Sequence, residues 1–281
     1  MQSLWMVLAS LLFASMGVCV KLGSAQFSAA ELAFYRGGIA TLMMAALMLA
    51  RGWRFGTPHW KVHLVRGVSG SISLVLYFGA ISHLPLPTAV TLNYTSPLFM
   101  AWWLAIMRGE RLSALLTGAL GIGFVGVITL LQPTLQANQW LGAVMGLGSG
   151  LLASAAYLSV RQLGALGEPE WRTVFWFSLV STGFGALWVA ADEGFHPVDL
   201  RGGLLLGGVG GLGMLAQLAM TTAYKRGRTL VSASLAYTTV GFSTCYAMLL
   251  WQQMPAPLAW LGMLLIVASG VMAITDSARR R

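Results

Sequence analysis

The chain places a few polar and aromatic side chains inside long apolar stretches, and these side chains limit the chemistry open to it. Arg36 carries a guanidinium group, which can bind a carboxylate through two parallel hydrogen bonds. Tyr77, Asn93 and Tyr94 offer hydroxyl and amide groups, and tyrosine rings also stack on apolar or aromatic ligands. The structural alternative for Arg36 is a pair with Glu31, hydrogen bonds to backbone carbonyls, or a side chain that reaches an aqueous interface. The chemistry indicated is noncovalent recognition of a small solute.

Further candidates lie at helical spacing around these residues. At about 100° per residue, Asn93 and Trp103 share one face of a helix, and Tyr94 and Trp102 share another. Comparable side chains in the second half of the chain are Tyr157, Trp176, Gln217 and Tyr237. An aromatic side chain in such a stretch also fits ordinary core packing, which is the structural alternative for each of them.

No arrangement typical of an enzyme is present. The histidines fall in loops or at the ends of apolar stretches, no two carboxylates share such a stretch, and no Ser/His/Asp set can be argued. The two cysteines lie in apolar stretches and fit small core residues better than a disulfide or a metal site. We therefore expect no enzymatic activity, no metal site and no cofactor or ATP.

Acidic residues are scarce where an ion-coupled carrier would need them. Ion-driven transporters usually keep a carboxylate in the pathway as a proton or sodium relay. Of eight acidic residues, only Glu31 falls near the interior of an apolar stretch, about one turn from its end. The sequence therefore predicts movement of a solute down its own gradient, or coupling that does not use a buried acid.

The composition is that of an integral membrane protein. The chain is 57% hydrophobic and 9% charged over 281 residues, which is more apolar surface than a soluble domain of this length can bury. The net charge of +9 could suggest nucleic acid as a partner, but the basic residues lie in short loops between apolar stretches. The first apolar stretch lacks a basic leader and a cleavage site, so we interpret it as a membrane span rather than a signal peptide.

Ten stretches are long and apolar enough to cross a bilayer, which needs about 20 residues in a helix. They cover residues 3–22, 28–50, 63–83, 87–107, 112–132, 140–160, 172–191, 202–223, 229–251 and 257–275. The prolines at 85 and 87 predict a tight hairpin between the third and fourth stretches. Pro97 interrupts the helical hydrogen-bond ladder within the fourth, because proline has no N–H to donate, and this predicts a kink beside a pathway. The alternative is a proline that the membrane helix tolerates for packing reasons.

The basic residues predict the orientation. With the N-terminus in the cytoplasm, all 17 Lys and Arg except Lys21, Arg36 and Arg201 fall on the cytoplasmic side or at its edge. An even number of spans returns the C-terminus to the same side. We therefore predict that both termini are cytoplasmic.

The two halves of the chain resemble each other. With an offset of 143, Tyr94 and Thr95 fall on Tyr237 and Thr238, and several apolar positions match as well. Five spans per half insert the second copy upside down relative to the first, which is the inverted repeat of many secondary transporters. The sequence thus predicts an all-α membrane protein with a five-helix repeat in residues 1–137, an inverted repeat in residues 138–281, and a central cavity.

These features resemble a known superfamily. The corner LPLPTAV, the turn RGERLS and the following helix with the glycine pattern G-x-x-G-x-G-x-x-G are similar to EamA-type members of the drug/metabolite transporter superfamily. The stretch ELAFYRGGIA and the aromatic-rich helices are similar to bacterial aromatic amino-acid exporters of the YddG type. One departure is that the charged RGER corner becomes Gln252-Gln253 in the second copy.

The resemblance implies a bacterial inner-membrane exporter with a central cavity near Tyr77, Asn93, Tyr94 and Trp102 or Trp103. We expect facilitative, alternating-access export of amino acids and related small metabolites, including aromatic ones. The partners are then the solute and the lipid bilayer, with no nucleic acid, and the oligomeric state is open, a monomer included. The alternatives are a carrier of another metabolite or of a drug, and a membrane scaffold or lipid-handling protein that moves no solute.

Overall fold

The computed structural model describes residues 4–107, 114–131, 139–191, 194–226 and 235–279. Within these ranges the chain forms helices and no strand. The helices are α1 (Trp5–Gly23), α2 (Ala29–Ala50), α3 (Trp60–His83), α4 (Leu86–Asn93), α5 (Ser96–Met107), α6 (Ala114–Leu131), α7 (Trp140–Ala165), α8 (Glu170–Ala191), α9 (Leu200–Arg226), α10 (Thr238–Trp251) and α11 (Pro257–Arg279). The RGER corner and the predicted boundary between residues 137 and 138 lie outside the described ranges.

Six helices in the described ranges are long and apolar enough to cross a membrane, namely α1, α2, α3, α7, α8 and α9. Shorter apolar segments lie in α6 and α11, at Thr117–Leu130 and Pro257–Met272. The predicted fourth span is divided between α4 and α5. The start of the predicted ninth span lies outside the described residues, which resume ahead of α10. The molecule is therefore a multi-pass, all-helical membrane protein.

Proline and capping residues set the helix boundaries where the sequence suggested them. α3 ends at His83 and α4 begins at Leu86, with Pro85 as its N-cap, so the predicted hairpin is confirmed. Ser28 accepts a hydrogen bond from the Glu31 amide, while the Glu31 carboxylate accepts one from the Ser28 amide, and this capping box starts α2.

The interruption predicted at Pro97 is observed as a break between two helices. α4 ends at Asn93 and α5 begins at Ser96, directly before Pro97. Because Pro97 has no N–H, the Asn93 carbonyl loses its helical donor. The second half has a matching feature. Residues 235 and 236 are helical, Tyr237 forms a turn, and α10 begins at the next residue.

Four helix pairs form the most extensive contacts: α3 with α7, α6 with α11, α2 with α8, and α1 with α9. Glycines let the α2 and α8 backbones approach closely. A Cβ atom on Gly37 would lie 2.8 Å from the Thr182 amide nitrogen, and one on Gly185 would lie 2.9 Å from the Phe34 Cα. Such small-residue contacts drive helix association where water is absent.

Candidate functional site

A cavity opens between the helices, and polar and aromatic side chains line it. The polar residues are Arg36, Arg66, Ser73, Asn93, Gln217 and Thr239. The aromatic residues are Phe13, Tyr77, Tyr94, Tyr157 and Phe177. The cavity has a volume of about 80 Å³. One water molecule needs roughly 10–15 Å³ on this measure, so the space takes several waters or part of a small solute.

Two buried arginines reach this cavity without a partner. Arg36 on α2 and Arg66 on α3 are each only 3% exposed. In the described part of the chain, neither side chain forms a salt bridge or a hydrogen bond, and both Nε atoms are buried without a partner. A buried charge without a partner costs several kcal/mol on the order-of-magnitude scale. Such a cost is typical of a binding site rather than of a structural core.

Phe177 on α8 compensates part of this cost. The guanidinium carbon of Arg66 lies 3.9 Å from the centre of the Phe177 ring, and that of Arg36 lies 5.4 Å from it. A cation over an aromatic face is stabilised by the negative charge of the ring's π-system. This contact holds both guanidiniums against one ring beside the cavity.

Two glycines make room for the arginines. A Cβ atom on Gly70 would overlap the Nη1 atom of Arg66, and one on Gly213 would lie 2.9 Å from the Nε atom of Arg36. Gly70 is one helical turn beyond Arg66 on α3, whereas Gly213 belongs to α9. Each guanidinium is therefore held against a helix surface that has no side chain.

The break between α4 and α5 turns polar groups toward neighbouring helices. The Asn93 side-chain amide donates a hydrogen bond to the Ser149 hydroxyl at 2.9 Å. The Tyr94 hydroxyl and the Thr239 hydroxyl are 2.7 Å apart and form a hydrogen bond that links the break to α10. Gly150 on α7 lies against this turn, where an added Cβ atom would be 3.0 Å from the Leu92 carbonyl oxygen.

The structure brings six of the predicted site residues to the cavity and places four elsewhere. Arg36, Tyr77, Asn93, Tyr94, Tyr157 and Gln217 line it. The Trp176 indole N–H instead donates to the Phe55 carbonyl at 3.1 Å. Tyr237 packs beside Tyr94, with ring centres 5.9 Å apart, and its hydroxyl lies against Gly270. Trp102 and Trp103 pack edge to face on α5, with Trp102 exposed.

Arg66 and Phe177 are site residues that the sequence reasoning missed. Arg66 was counted among the basic residues of the cytoplasmic edge, because that rule considers charge and position but not packing. Its spacing from Gly70 could have indicated a buried arginine. Gly70 lies one helical turn after Arg66 on the same face, and its missing side chain leaves room for the guanidinium. Phe177 carried no signal beyond its apolar type.

The other basic residue near a span end, Lys21, has a structural role. Its ammonium group donates hydrogen bonds to the carbonyl oxygens of Ile81 at 2.7 Å and Leu84 at 2.8 Å. These carbonyls belong to the last turn of α3 and the residue after it, where no helical donor is available. Lys21 therefore stabilises the end of α3 and fixes it against α1.

Two buried carboxylates lie near opposite ends of α8, and both are paired. Glu31 is fully buried and accepts hydrogen bonds from the His196 amide at 2.7 Å and the His196 ring at 2.8 Å. It does not pair with Arg36, so that structural alternative is wrong. Glu168 accepts hydrogen bonds from Thr57 and, at 3.0 Å, from Arg172.

The environment of Glu168 keeps its carboxylate ionised. Burial alone would raise the pKa of Glu168, but hydrogen bonds from Thr57 and Arg172 and the charge of Arg172 hold that pKa below its ordinary value. The His63 ring lies 3.8 Å from the same carboxylate. Through its contacts with Thr57 and Arg172, Glu168 joins the connection between α2 and α3 to the start of α8.

Comparisons with known proteins agree with this architecture. The sequence pattern of the EamA-like transporter family matches residues 1–132. The chain is 33% identical to the pseudopaline exporter of Pseudomonas aeruginosa over 263 residues, covering 94% of this chain and 92% of the exporter. It is 27% identical to a riboflavin transporter of Rhizobium johnstonii, covering 99% and 92% of the two chains.

A solved crystal structure supports the fold over the whole length. It superposes with a TM-score of 0.67 at 21% identity, covering 99% of this chain and 98% of the other. At this identity the likeness concerns the fold alone. The match to an exporter over nearly the full chain, together with the apolar helices and the lined cavity, shows that the chain belongs to the EamA-like transporter family and is a membrane transporter.

Proposed function

We propose that the two halves, residues 1–137 and 138–281, are inverted repeats with five spans each. In this scheme α1, α2, α3, α4–α5 and α6 correspond to α7, α8, α9, α10 and α11. Exchanging the halves turns the α3–α7 contact into the α9–α1 contact, and it leaves α2–α8 and α6–α11 unchanged. The four most extensive helix contacts follow this pattern, which supports the scheme. The matching turns at Tyr94 and Tyr237 support it independently.

Such symmetry provides a transport mechanism. A site near the pseudo-two-fold axis can open to one side of the membrane, and exchange of the two conformations of the halves opens it to the other. Residues of α1, α2, α3, α4, α7, α8, α9 and α10, and of the turn between α4 and α5, line the cavity, so both halves contribute to its walls and it fits this role. We expect the chain to lie in a bacterial inner membrane with both termini in the cytoplasm, as its basic residues indicate.

The substrate we propose is an amino acid or a related small metabolite, including aromatic ones, which the chain exports. The observation that carries this proposal is the Arg36 guanidinium at the cavity, which pairs with no carboxylate among the described residues. A substrate carboxylate would supply the missing charge. Tyr77, Tyr94 and Tyr157 supply aromatic walls and hydroxyl groups for the rest of the solute. The relatives are named for pseudopaline and riboflavin, so the solute differs between relatives and must be argued from this cavity.

The transport we propose is facilitative. The two buried carboxylates of the described chain, Glu31 and Glu168, are held by partners near the ends of α8 and do not line the cavity. A relay of protons or sodium ions through the cavity would need such a group.

The test is counterflow and efflux in proteoliposomes that contain only the purified protein. The solutes are labelled amino acids, one sugar and one quaternary ammonium. We expect amino acids to move down their own gradient without ATP, sodium or a pH gradient. Movement of the sugar or the cation alone would exclude the substrate class and retain a carrier of another metabolite or drug. If folded protein moves no solute, a scaffold or lipid-handling role becomes the better interpretation.

A further inference from the structure

The two cavity arginines share one aromatic ring. The guanidinium carbons of Arg66 and Arg36 lie 3.9 and 5.4 Å from the centre of Phe177, and both residues line the same cavity. A single small solute can therefore contact both guanidiniums at once.

The described lining of the cavity presents two positive charges and no negative one. Its other polar side chains, such as Ser73, Asn93 and Gln217, are neutral. The Gln217 side-chain nitrogen is also buried without a hydrogen-bond partner. Because uncompensated buried charge is costly, the site is complete only when a ligand brings two negative charges.

We propose that the transporter selects solutes with two carboxylates, one for each of Arg36 and Arg66. This inference rests on the proposed function and narrows its substrate class. Each guanidinium can bind a carboxylate through two parallel hydrogen bonds. The tyrosines pack against the apolar part of the solute.

A solute with a single carboxylate fits this site less well. It leaves one guanidinium without a counter-charge. A neutral amino acid also brings an ammonium group, which adds a third positive charge beside the two arginines. The described lining contains no carboxylate that could pair with this ammonium group. Selectivity for the second carboxylate therefore follows from the charge balance of the cavity.

The test compares solutes that differ by one carboxylate, which is either converted to an amide or removed. The pairs are glutamate with glutamine, and phenylsuccinate with 3-phenylpropionate. Binding to purified protein is measured by calorimetry and by the shift in unfolding temperature. We expect the wild type to bind the dicarboxylate of each pair about tenfold to a hundredfold more tightly, as a charge-assisted hydrogen-bonded pair contributes.

Variants assign the preference to the arginines. Arg66→Met and Arg36→Met should each reduce the preference to about twofold or less. Arg66→Lys keeps the positive charge but lacks the planar guanidinium, so it should retain an intermediate preference for the dicarboxylate. The same variant replaces Arg66→Met in the test if Arg66→Met does not fold. The matched control is Arg54→Met, which removes an exposed arginine and should leave the preference unchanged.

Equal binding of both members of each pair by the wild type would overturn the inference. A full preference that persists in both Arg→Met variants would do the same. Flux in proteoliposomes separates the inference from the proposed function. Selective dicarboxylate binding without any flux would refute the proposed facilitative transport of these solutes and support the two-carboxylate site, whereas equal flux of glutamate and glutamine would support that transport and refute the site.

Discussion

Buried charges occur both near helix ends and in the central cavity, and the two groups differ in their partners. Near the helix ends, Glu31, Glu168 and Lys21 all have hydrogen-bond partners in the protein. In the cavity, Arg36 and Arg66 have a shared aromatic ring and no counter-charge in the described residues. Burial alone therefore does not distinguish the two groups of charges, but the presence of a partner among the described residues does.

The difference has an energetic meaning. A paired buried charge loses its partner when one member is mutated, so the remaining group is stranded and the fold is destabilised. An unpaired buried charge already carries its desolvation cost, so an apolar replacement of similar length removes that cost. The two kinds of charge should thus respond in opposite ways to neutral substitutions.

The largest expected effect is the loss of transport activity in the Arg36→Met variant. We expect flux of the best substrate in proteoliposomes to fall by about tenfold to a hundredfold, because one charge-assisted contact to the solute is lost. The unfolding temperature in detergent should be equal to or higher than that of the wild type. A marked loss of thermal stability with substrate affinity retained would show that Arg36 is structural, like Lys21.

Next in size is the effect of Glu168→Gln on stability. The substitution leaves Arg172 and Thr57 without their charged acceptor, and we expect a loss of about 1–3 kcal/mol in the free energy of unfolding. The control is Lys61→Gln, which removes an exposed charge at the start of α3. Binding of substrate to the folded variant should be nearly unchanged.

The Glu168 carboxylate also predicts how the stability of the protein changes with pH. Because the pKa of Glu168 is lower in the folded state than its ordinary value of 4.5, its stabilisation is present above that pH and is lost as the pH falls through the folded value. The wild type should therefore approach the stability of Glu168→Gln as the pH falls below about 4.5. A constant difference between the two proteins from pH 7 to pH 3 would contradict this assignment.

A smaller effect is expected for Lys21→Met. The variant loses hydrogen bonds to the carbonyls at the end of α3, which we estimate at about 1–2 kcal/mol. Lys21→Arg should recover part of this stability, because a guanidinium can reach the same carbonyls. Solute affinity should remain within about twofold of the wild type in both variants, since Lys21 does not line the cavity.

The sequence predicted the helical boundaries well where backbone chemistry decides them. Pro85, Pro87 and Pro97 remove backbone donors, and the hairpin and the break follow from that loss alone. Tyr77 and Tyr94 are candidate site residues in the sequence, and both line the cavity.

Side-chain direction was harder to predict, because it depends on packing between distant helices. Arg66 looks like an edge residue in the sequence, and only its contact with Phe177 on another helix shows that it faces the cavity. Trp176 and Tyr237 have the residue type expected at the site, yet the indole N–H of Trp176 donates to the Phe55 carbonyl and the Tyr237 hydroxyl lies against Gly270. These contacts join residues far apart in the chain, and helical periodicity carries no information about them.

The smallest expected effect separates a cavity hydroxyl that has a protein partner from one that does not. Tyr94→Phe removes the hydrogen bond to Thr239 and should lower the free energy of unfolding by about 0.5–1.5 kcal/mol. Tyr77→Phe removes a hydroxyl for which the described residues provide no hydrogen-bond partner, so it should leave stability unchanged and weaken only solute binding. Thr239→Val with Tyr94→Phe completes a double-mutant cycle, and a coupling energy near zero would show that the Tyr94 hydroxyl is also free for the solute.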